Sequence, residues 1–257
     1  LWKLGIYAKT GSTVYNSGTI NITSNGGMFG IYAESGATVT NTGTISLNGI
    51  SCDGATCSGA SDYIPYIVLN GGTLYNSGLM MAPQMNLNSM GGNVVAGLGA
   101  QFVVENELSG DLNISSAIVQ NGNQTTYIAE NMIDAGDVSG LNVRSASAMF
   151  NASLADNGHD VVMTMKDFDT LTDNKSLAAF LANNYANGKG QDLFSTLKSM
   201  DNMSAFNGTL SGLIGLNTFT QFAHEDLSAM REISFSMQLS RASEIAFSLS
   251  SLIFGGR

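Results

Sequence analysis

The sequence predicts a mainly β protein: a right-handed parallel β-helix with a β-rich cap, followed by a helical C-terminal region. The first observation behind this fold class is a repeat, since the block TVYNSGTI from Thr13 recurs as TVTNTGTI from Thr38 and as TLYNSGLM from Thr73. The second is that each copy contains short runs of alternating apolar residues bounded by Asn, Ser and Gly, which is typical of strands joined by tight turns. The third is a change to helical spacing after Asp169.

The regular part of the chain has an uninterrupted period of 25 residues. Gly5-Ile6-Tyr7-Ala8 aligns with Gly30-Ile31-Tyr32-Ala33, as the Thr13 block aligns with the Thr38 block. A fixed period of this size indicates a solenoid. Helical repeats would need a spacing near 3.6 and far less glycine, so we predict one β-helix coil per unit over residues 1–100.

Composition and charge limit the possible partners. The 257 residues include 30 Gly but only 2 Pro, and 12% are charged, compared with about a quarter in typical domains. The net charge of −10 opposes binding to nucleic acid or to an anionic membrane surface. Because the opening LWKLGIYA already lies inside the repeat, we expect the chain to be part of a longer protein.

Asparagine occupies the same place in each copy of the repeat, at Asn16, Asn41 and Asn76. In a parallel β-helix these side chains should stack about 4.8 Å apart, the spacing between neighbouring strands. Asn tolerates turn conformations and forms amide ladders. We therefore predict a structural Asn ladder rather than a ligand site.

The third copy begins 35 residues after the second, and a loop around SCDGATCSGASD accounts for the extra ten residues. This loop holds Cys52 and Cys57, the only cysteines. Two Cys without a nearby His cannot complete a zinc site, and their spacing is not C-x-x-C. The spacing predicts a local disulfide in an oxidising, extracytoplasmic compartment, with two reduced, inert thiols as the alternative.

Beyond about Gly97 the repeat degrades, although strand-like runs continue through AQFVVENEL, TTYIAENMI, LNVRSASAMFNASL and DVVMTMKDF. A solenoid must cover its last coil or expose a sheet edge. We therefore predict a β-rich cap over residues 101–168.

The region 169–257 is predicted to be helical. DNKSLAAFLANNYANG places Leu177, Phe180, Leu181 and Tyr185 on one helical face. Asp173 or Asn174 is the expected N-cap, and Gly188 the expected stop. GQDLFSTLKSM and MSAFNGTLSGLIGL predict two further short helices, and the stretch from FTQFAHEDL to SLSSL predicts one long helix.

The acidic residues give little support to catalysis in the coils. In the first hundred residues the acids are Glu34, Asp53 and Asp62, and the cations are Lys3 and Lys9. Polysaccharide-cleaving β-helices need carboxylates that converge on one face, or a base beside a bound metal. The three acids are scattered along the sequence, so we expect no enzyme activity, no cofactor and no metal site.

The remaining polar candidates have simple structural explanations. No serine in the sequence lies in a G-x-S-x-G or equivalent motif that would make it a nucleophile for His159 or His224. We therefore expect both histidines on the surface. The string Asp167, Asp169 and Asp173 does not match the EF-hand pattern, and a solvated turn before a helix explains it.

Three segments together resemble the distal passenger region of bacterial autotransporters. They are the NSGTI/NTGTI coils, SASAMFNASLADNGHDVVMTMK, and the stretch from LFSTLKSM through FNGTLSGLIGL to REISFSM. The resemblance is closest to autotransporters that carry a subtilisin-like protease or an adhesin. It implies a β-helical passenger secreted across the outer membrane, a β-rich tail that acts as an autochaperone, and a helix leading to a membrane β-barrel, which we expect to lie outside these 257 residues.

The last predicted helix carries an apolar stripe of Leu227, Met230, Ile233 and Met237. Such an apolar stripe must pack against another apolar surface. The preceding helices can supply it, and the resemblance offers the lumen of the protein's own outer-membrane barrel as a second possibility.

The function expected from these features is that of a structural stalk and folding seed of a surface-displayed passenger. The first alternative is an adhesin region that binds host or bacterial surfaces. The second is the distal part of a subtilisin-like protease whose catalytic residues would lie upstream of Leu1. The resemblance implies a bacterial cell-surface, outer-membrane or extracellular location, and nucleic acid is not an expected partner.

Overall fold

The computed structural model describes residues 3–24, 28–49, 66–87 and 91–219. Each of the first three coils contains three short strands separated by turns. Coil 1 consists of β1 (Lys3–Ala8), β2 (Thr13–Asn16) and β3 (Thr19–Ser24); coil 2 of β4 (Met28–Ala33), β5 (Thr38–Asn41) and β6 (Thr44–Gly49); coil 3 of β7 (Tyr66–Leu69), β8 (Thr73–Asn76) and β9 (Leu79–Ala82).

Equivalent strands of successive coils pair in parallel and form three sheets. Sheet A contains β1, β4 and β7; sheet B contains β2, β5 and β8; sheet C contains β3, β6 and β9. In sheet B, Thr13 pairs with Thr38, which pairs with Thr73. The repeated sequence blocks therefore lie in register, and the predicted fold class is confirmed.

The stack of coils continues beyond the repeated sequence. The next strands are β10 (Met85–Asn86), β11 (Asn93–Ala96), β12 (Gln101–Ile114), β13 (Thr126–Ala129), β14 (Ile133–Asp137) and β15 (Leu141–Ser145), and all of them except β13 pair within the stack. Strand β12 crosses all three sheets, because it pairs with β9 in sheet C, then with β10 in sheet A, and then with β11 and β15 in sheet B. Strand β14 adds to sheet C. The residues predicted as a cap thus contribute further windings.

The sequence period disappears in these later windings because the turns change length. Paired residues are 35 positions apart between Thr38 and Thr73, and 20 apart between Thr73 and Asn93. They are 31 apart between Gly110 and Leu141. Parallel pairing requires register along the strands and sets no fixed number of residues for the turns.

Side chains alternate between the interior and the outer surface along each strand, as the pleat requires. In β5, Val39 and Asn41 are buried, whereas Thr38 and Thr40 are half-buried on the outer face. Interior positions stack between coils, as in the row Ile6, Ile31 and Ile67. The core of the β-helix is therefore a set of stacked rows.

The remaining strands and the helices complete the described chain. Strands β16 (Phe150–Leu154) and β17 (Val161–Met165) form a three-stranded sheet with β13, and β17 is the central strand. A short 3-10 helix spans Ser116–Val119. The α-helices are α1 (Phe168–Leu171), α2 (Lys175–Ala186), α3 (Gln191–Ser199) and α4 (Met203–Phe219).

The predicted helix signals are confirmed where the structure describes them. Asn174, rather than Asp173, is the N-cap of α2, and its side chain accepts a hydrogen bond from the backbone N–H of Leu177. Gly188 follows the helix with a φ of 66°, the left-handed conformation in which many helices end. Most of the long helix predicted from FTQFAHEDL lies outside the described residues.

The chain divides into two compact units. The first comprises Leu1–Ile118, Tyr127–Ser145 and Ala152–Met163, and contains the coils. The second comprises Val119–Thr126, Ala146–Asn151 and Thr164–Arg257, and contains the helices.

Candidate functional site

The three asparagines predicted as a ladder lie side by side in sheet B. Asn16 Nδ2 donates a hydrogen bond to Asn41 Oδ1, and Asn41 Nδ2 donates to Asn76 Oδ1, both at 2.8 Å. All three side chains are buried, and Asn41 and Asn76 are completely inaccessible to solvent. Parallel pairing in register places one amide above the next.

The ladder also holds the turn that follows each strand. Asn16 Oδ1 accepts from the backbone N–H of Gly18, and Asn76 Oδ1 accepts from that of Gly78, both at 3.3 Å. Asn76 Nδ2 donates to the Gly78 carbonyl at 3.0 Å. These contacts satisfy the amide groups within the protein. The ladder stabilises the coil corner and presents no open group to a ligand.

Glycine is required two residues after Asn41 and Asn76 because the coils approach closely there. A Cβ on Gly43 would lie 2.1 Å from the carbonyl oxygen of Gly18, and one on Gly78 would lie 2.2 Å from that of Gly43. Gly18, in coil 1, has nothing within 4 Å of the equivalent position. The Asn-x-Gly motif therefore combines an amide that links coils with a residue that lets their backbones meet.

The ladder ends at the fourth winding. Ala96 pairs with Asn76 and Ile114 pairs with Ala96, so apolar side chains replace the amide row. Both replacements are fully buried. The coil geometry therefore does not require asparagine at this position.

Glu34 bridges coils 1 and 2 on the outer surface. Its Oε2 accepts hydrogen bonds from the backbone N–H and the hydroxyl of Thr10, both at 2.9 Å. Its Oε1 accepts from the hydroxyl of Tyr7. The Tyr7 ring lies against that of Tyr32, with 5.5 Å between centroids. The carboxylate is thus held by neighbours from coil 1.

These contacts shift the ionisation of both groups. The hydrogen bond from Tyr7, followed by those from Thr10, lowers the pKa of Glu34 below its ordinary value of 4.5. The same bond to Glu34 raises the pKa of Tyr7 above 10.0. Glu34 is therefore an ionised hydrogen-bond acceptor at neutral pH. A general acid needs a raised carboxyl pKa, the opposite of this shift.

His159 lies in the exposed turn before β17, where surface placement was predicted. Its Nδ1 donates to the carbonyl of Ile133 at 2.9 Å. The neighbouring Asp160 accepts from the backbone N–H of Asn131 and from Asn157 Nδ2, both at 2.7 Å. The bond from Asn131, followed by that from Asn157, lowers the pKa of Asp160. This cluster holds Asn131, whose φ of 52° is unusual for a residue other than glycine.

The other predicted polar residues fall into three groups. Asp167 is the N-cap residue of α1, although its side chain makes no capping hydrogen bond, and Asp169 forms an exposed ion pair of 3.4 Å with Lys175. Asp173 precedes the N-cap of α2. Cys52, Cys57, Asp53, Asp62 and His224 lie outside the described residues.

Sequence reasoning missed a buried lysine in the second unit. Lys198 is 1% exposed, its Nζ donates to the Gly122 carbonyl, and this nitrogen lies 5.4 Å from the centre of the Tyr185 ring. Tyr185 packs edge-on against Phe194, with 4.9 Å between centroids, and its hydroxyl donates to the carbonyl of Gln124 at 2.6 Å. The available signal was the position of Lys198 in DLFSTLKS, directly after Leu197 and four residues after Phe194.

The described residues hold neither a candidate metal site nor a candidate membrane-spanning helix. In residues 3–24, 28–49, 66–87 and 91–219, no three His, Cys, Asp or Glu side chains are placed to hold one metal ion. None of the helices in the same part of the chain is long and apolar enough to span a bilayer.

Comparison with known proteins links the coils to a bacterial surface protein. Residues 2–78 match the family model described as the BigA third pectate lyase-like domain. Neither the curated proteins nor the solved structures include a significant match. Coils 1 and 2 and the first two strands of coil 3 are thus similar to a β-helix-type domain of a bacterial surface protein.

Proposed function

We propose that this chain is a non-enzymatic structural module, a stalk and folding seed of a bacterial surface passenger. The observation that carries the proposal is the stack of in-register coils joined by the Asn ladder. In such a stack each coil contacts only its neighbours. Length can then be added coil by coil without a new core, which suits a spacer.

The chemistry of the coils supports a scaffold role. The charged residues described in coils 1 to 3 are Lys3, Lys9 and Glu34. Glu34 is engaged with Tyr7 and Thr10 and lacks a second carboxylate beside it in these coils. Glycoside hydrolysis uses paired carboxylates. The side-chain groups that repeat are instead those that join one coil to the next.

The family match supports placement on a bacterial surface, because it relates residues 2–78 to a domain of a bacterial surface protein. The resemblance of the later segments to autotransporter passengers supports secretion across an outer membrane. Nearest-neighbour contacts let folding start at one end and propagate. A C-terminal seed would therefore draw the remaining coils into the fold as they emerge.

Surface display in the complete gene tests the seeding role. We expect deletion of residues 116–166 to abolish display of folded passenger, measured by antibody labelling of intact cells and by protease resistance. The matched control removes residues 14–38, one period, and joins Thr13 to Val39. This shorter stack keeps its register and should be displayed normally. Normal display of protease-resistant passenger after the first deletion would contradict the seeding role.

An adhesin role is the second candidate. It is favoured by exposed aromatic side chains on the outer faces of the coils, notably Tyr7, Tyr15 and Tyr75. Loss of cell adhesion on deletion of residues 51–61, which include both cysteines, would place the adhesive surface in the inserted loop. Unchanged adhesion would show that residues 51–61 are not part of the adhesive surface.

A further inference from the structure

The tyrosines of the TVYN and TLYN copies lie on the outer surface of the coils. Tyr15 and Tyr75 point outward from sheet B, and they are 76% and 46% exposed. Tyr15 is the most exposed large apolar side chain in the described residues. Neither side chain has a hydrogen bond, ion pair or ring contact in that part of the chain. Thr40 takes the equivalent position between them, so the fold does not need a ring there.

The two rings belong to one flat surface, here called the tyrosine face. It consists of the outward residues of β2, β5 and β8: Thr13, Tyr15, Thr38, Thr40, Thr73 and Tyr75. The strands lie in register, so the rings are two strand spacings apart, about 10 Å. Three threonines form a parallel row of hydroxyls beside the row that holds the rings.

We propose that the tyrosine face binds an extended, uncharged β-linked glycan that runs along the axis of the coils. Aromatic rings offer flat apolar surfaces for the C–H faces of sugars, and the Tyr and Thr hydroxyls can donate or accept hydrogen bonds from sugar hydroxyls. The ring separation is comparable to the disaccharide repeat of an extended β-1,4-linked chain. The shorter Thr40 leaves space for the sugar between the two stacked rings.

Charge favours an uncharged glycan over an acidic polysaccharide. None of the six side chains of the tyrosine face is charged, whereas the whole chain carries a net charge of −10. An anionic polymer would meet overall repulsion, and Arg144, which continues the same outward row of sheet B, is already paired with Asp111 at 3.4 Å. Binding must therefore rest on ring stacking and neutral hydrogen bonds.

The composition of the face favours a glycan over a protein partner. Four of the six residues are threonines, so the face lacks the continuous apolar centre of a protein interface. The inference concerns this outer face alone and does not depend on the seeding role.

Calorimetric titration of the whole chain with cellotetraose and chitotetraose tests the proposal. We expect saturable binding of at least one, and little binding of polygalacturonate. Replacing either ring as Tyr15→Thr or Tyr75→Thr should weaken binding about tenfold, since one stacking contact is lost. Threonine is the native residue at the equivalent Thr40, so the coils should keep their thermal midpoint. Leu98→Ser removes a similarly exposed apolar side chain elsewhere and should leave binding unchanged.

Three results would overturn the proposal. The first is the absence of saturable binding to both uncharged oligosaccharides. The second is binding that neither tyrosine substitution weakens. The third is self-association of the chain that is abolished by Tyr15→Thr, measured by sedimentation, since a second copy would then occupy the face.

Discussion

The coils and the helical unit both bury polar side chains, but they do so in different ways. In the coils, Asn41 lies between the equivalent residues Asn16 and Asn76, and each side-chain amide donates a hydrogen bond to the next one. In the helical unit, Lys198 is buried beside the Tyr185 ring and donates to the Gly122 carbonyl. The ladder distributes its hydrogen bonds over several coils, whereas the lysine depends on one local arrangement. A repeat can therefore be read from sequence, and a unique contact cannot.

The largest effect should come from the close approach between coils. We expect Gly43→Ala to reduce the free energy of unfolding by about 3 kcal/mol or more, since the new Cβ would lie 2.1 Å from the Gly18 carbonyl oxygen and cannot be accommodated without a backbone shift. Urea unfolding followed by circular dichroism measures this change. Gly18→Ala is the matched control, with open space at the same position of coil 1. Equal losses in the two variants would show that conformation, rather than contact between coils, requires glycine.

Breaking the ladder at its centre should have the next largest effect. We expect Asn41→Ala to cost about 2–3 kcal/mol, because Asn16 Nδ2 loses an acceptor and Asn76 Oδ1 loses a donor in a buried site. Asn21→Ala, on the exposed side of β3, should be nearly neutral. Replacing all three ladder residues by alanine should cost less than three times the single change, since no unpaired amide remains. Additive losses would contradict a cooperative ladder.

Substitution of the buried lysine in the helical unit should change the stability less than substitution of Asn41. We expect Lys198→Met to cost about 1–2 kcal/mol, because the Gly122 carbonyl loses its donor and the Tyr185 ring loses a cation, whereas the aliphatic packing is kept. Thermal unfolding compares this variant with Lys175→Met, which removes an exposed ion pair and should change little. A gain in stability for Lys198→Met would show that desolvation of the lysine outweighs its contacts.

The features that repeat in sequence were the ones that sequence could predict. The Asn-x-Gly motif gave the coil period, and the structure places Asn16, Asn41 and Asn76 in one row. The later windings could not be counted, because the turns vary in length and β12 crosses three sheets. The acceptor of Lys198 could not be foreseen either, since it lies 76 residues away. Such contacts leave no periodic pattern in the chain.

The smallest predicted effect depends on pH and concerns the exposed bridge between coils 1 and 2. The pKa of Glu34 is lowered, so its contribution is present above about pH 4.5 and is lost as the pH falls through the folded-state pKa. The pKa of Tyr7 is raised, so its contribution is present below pH 10.0 and is lost as the pH rises through its folded-state pKa.

Glu34→Gln should therefore lower the thermal midpoint slightly at pH 7 and by less at pH 3. Comparing the two proteins at each pH cancels the titration of the other acids, such as Asp137 and Asp160, that both share. An equal difference at the two pH values would show that shape, rather than the charge of the carboxylate, holds this bridge.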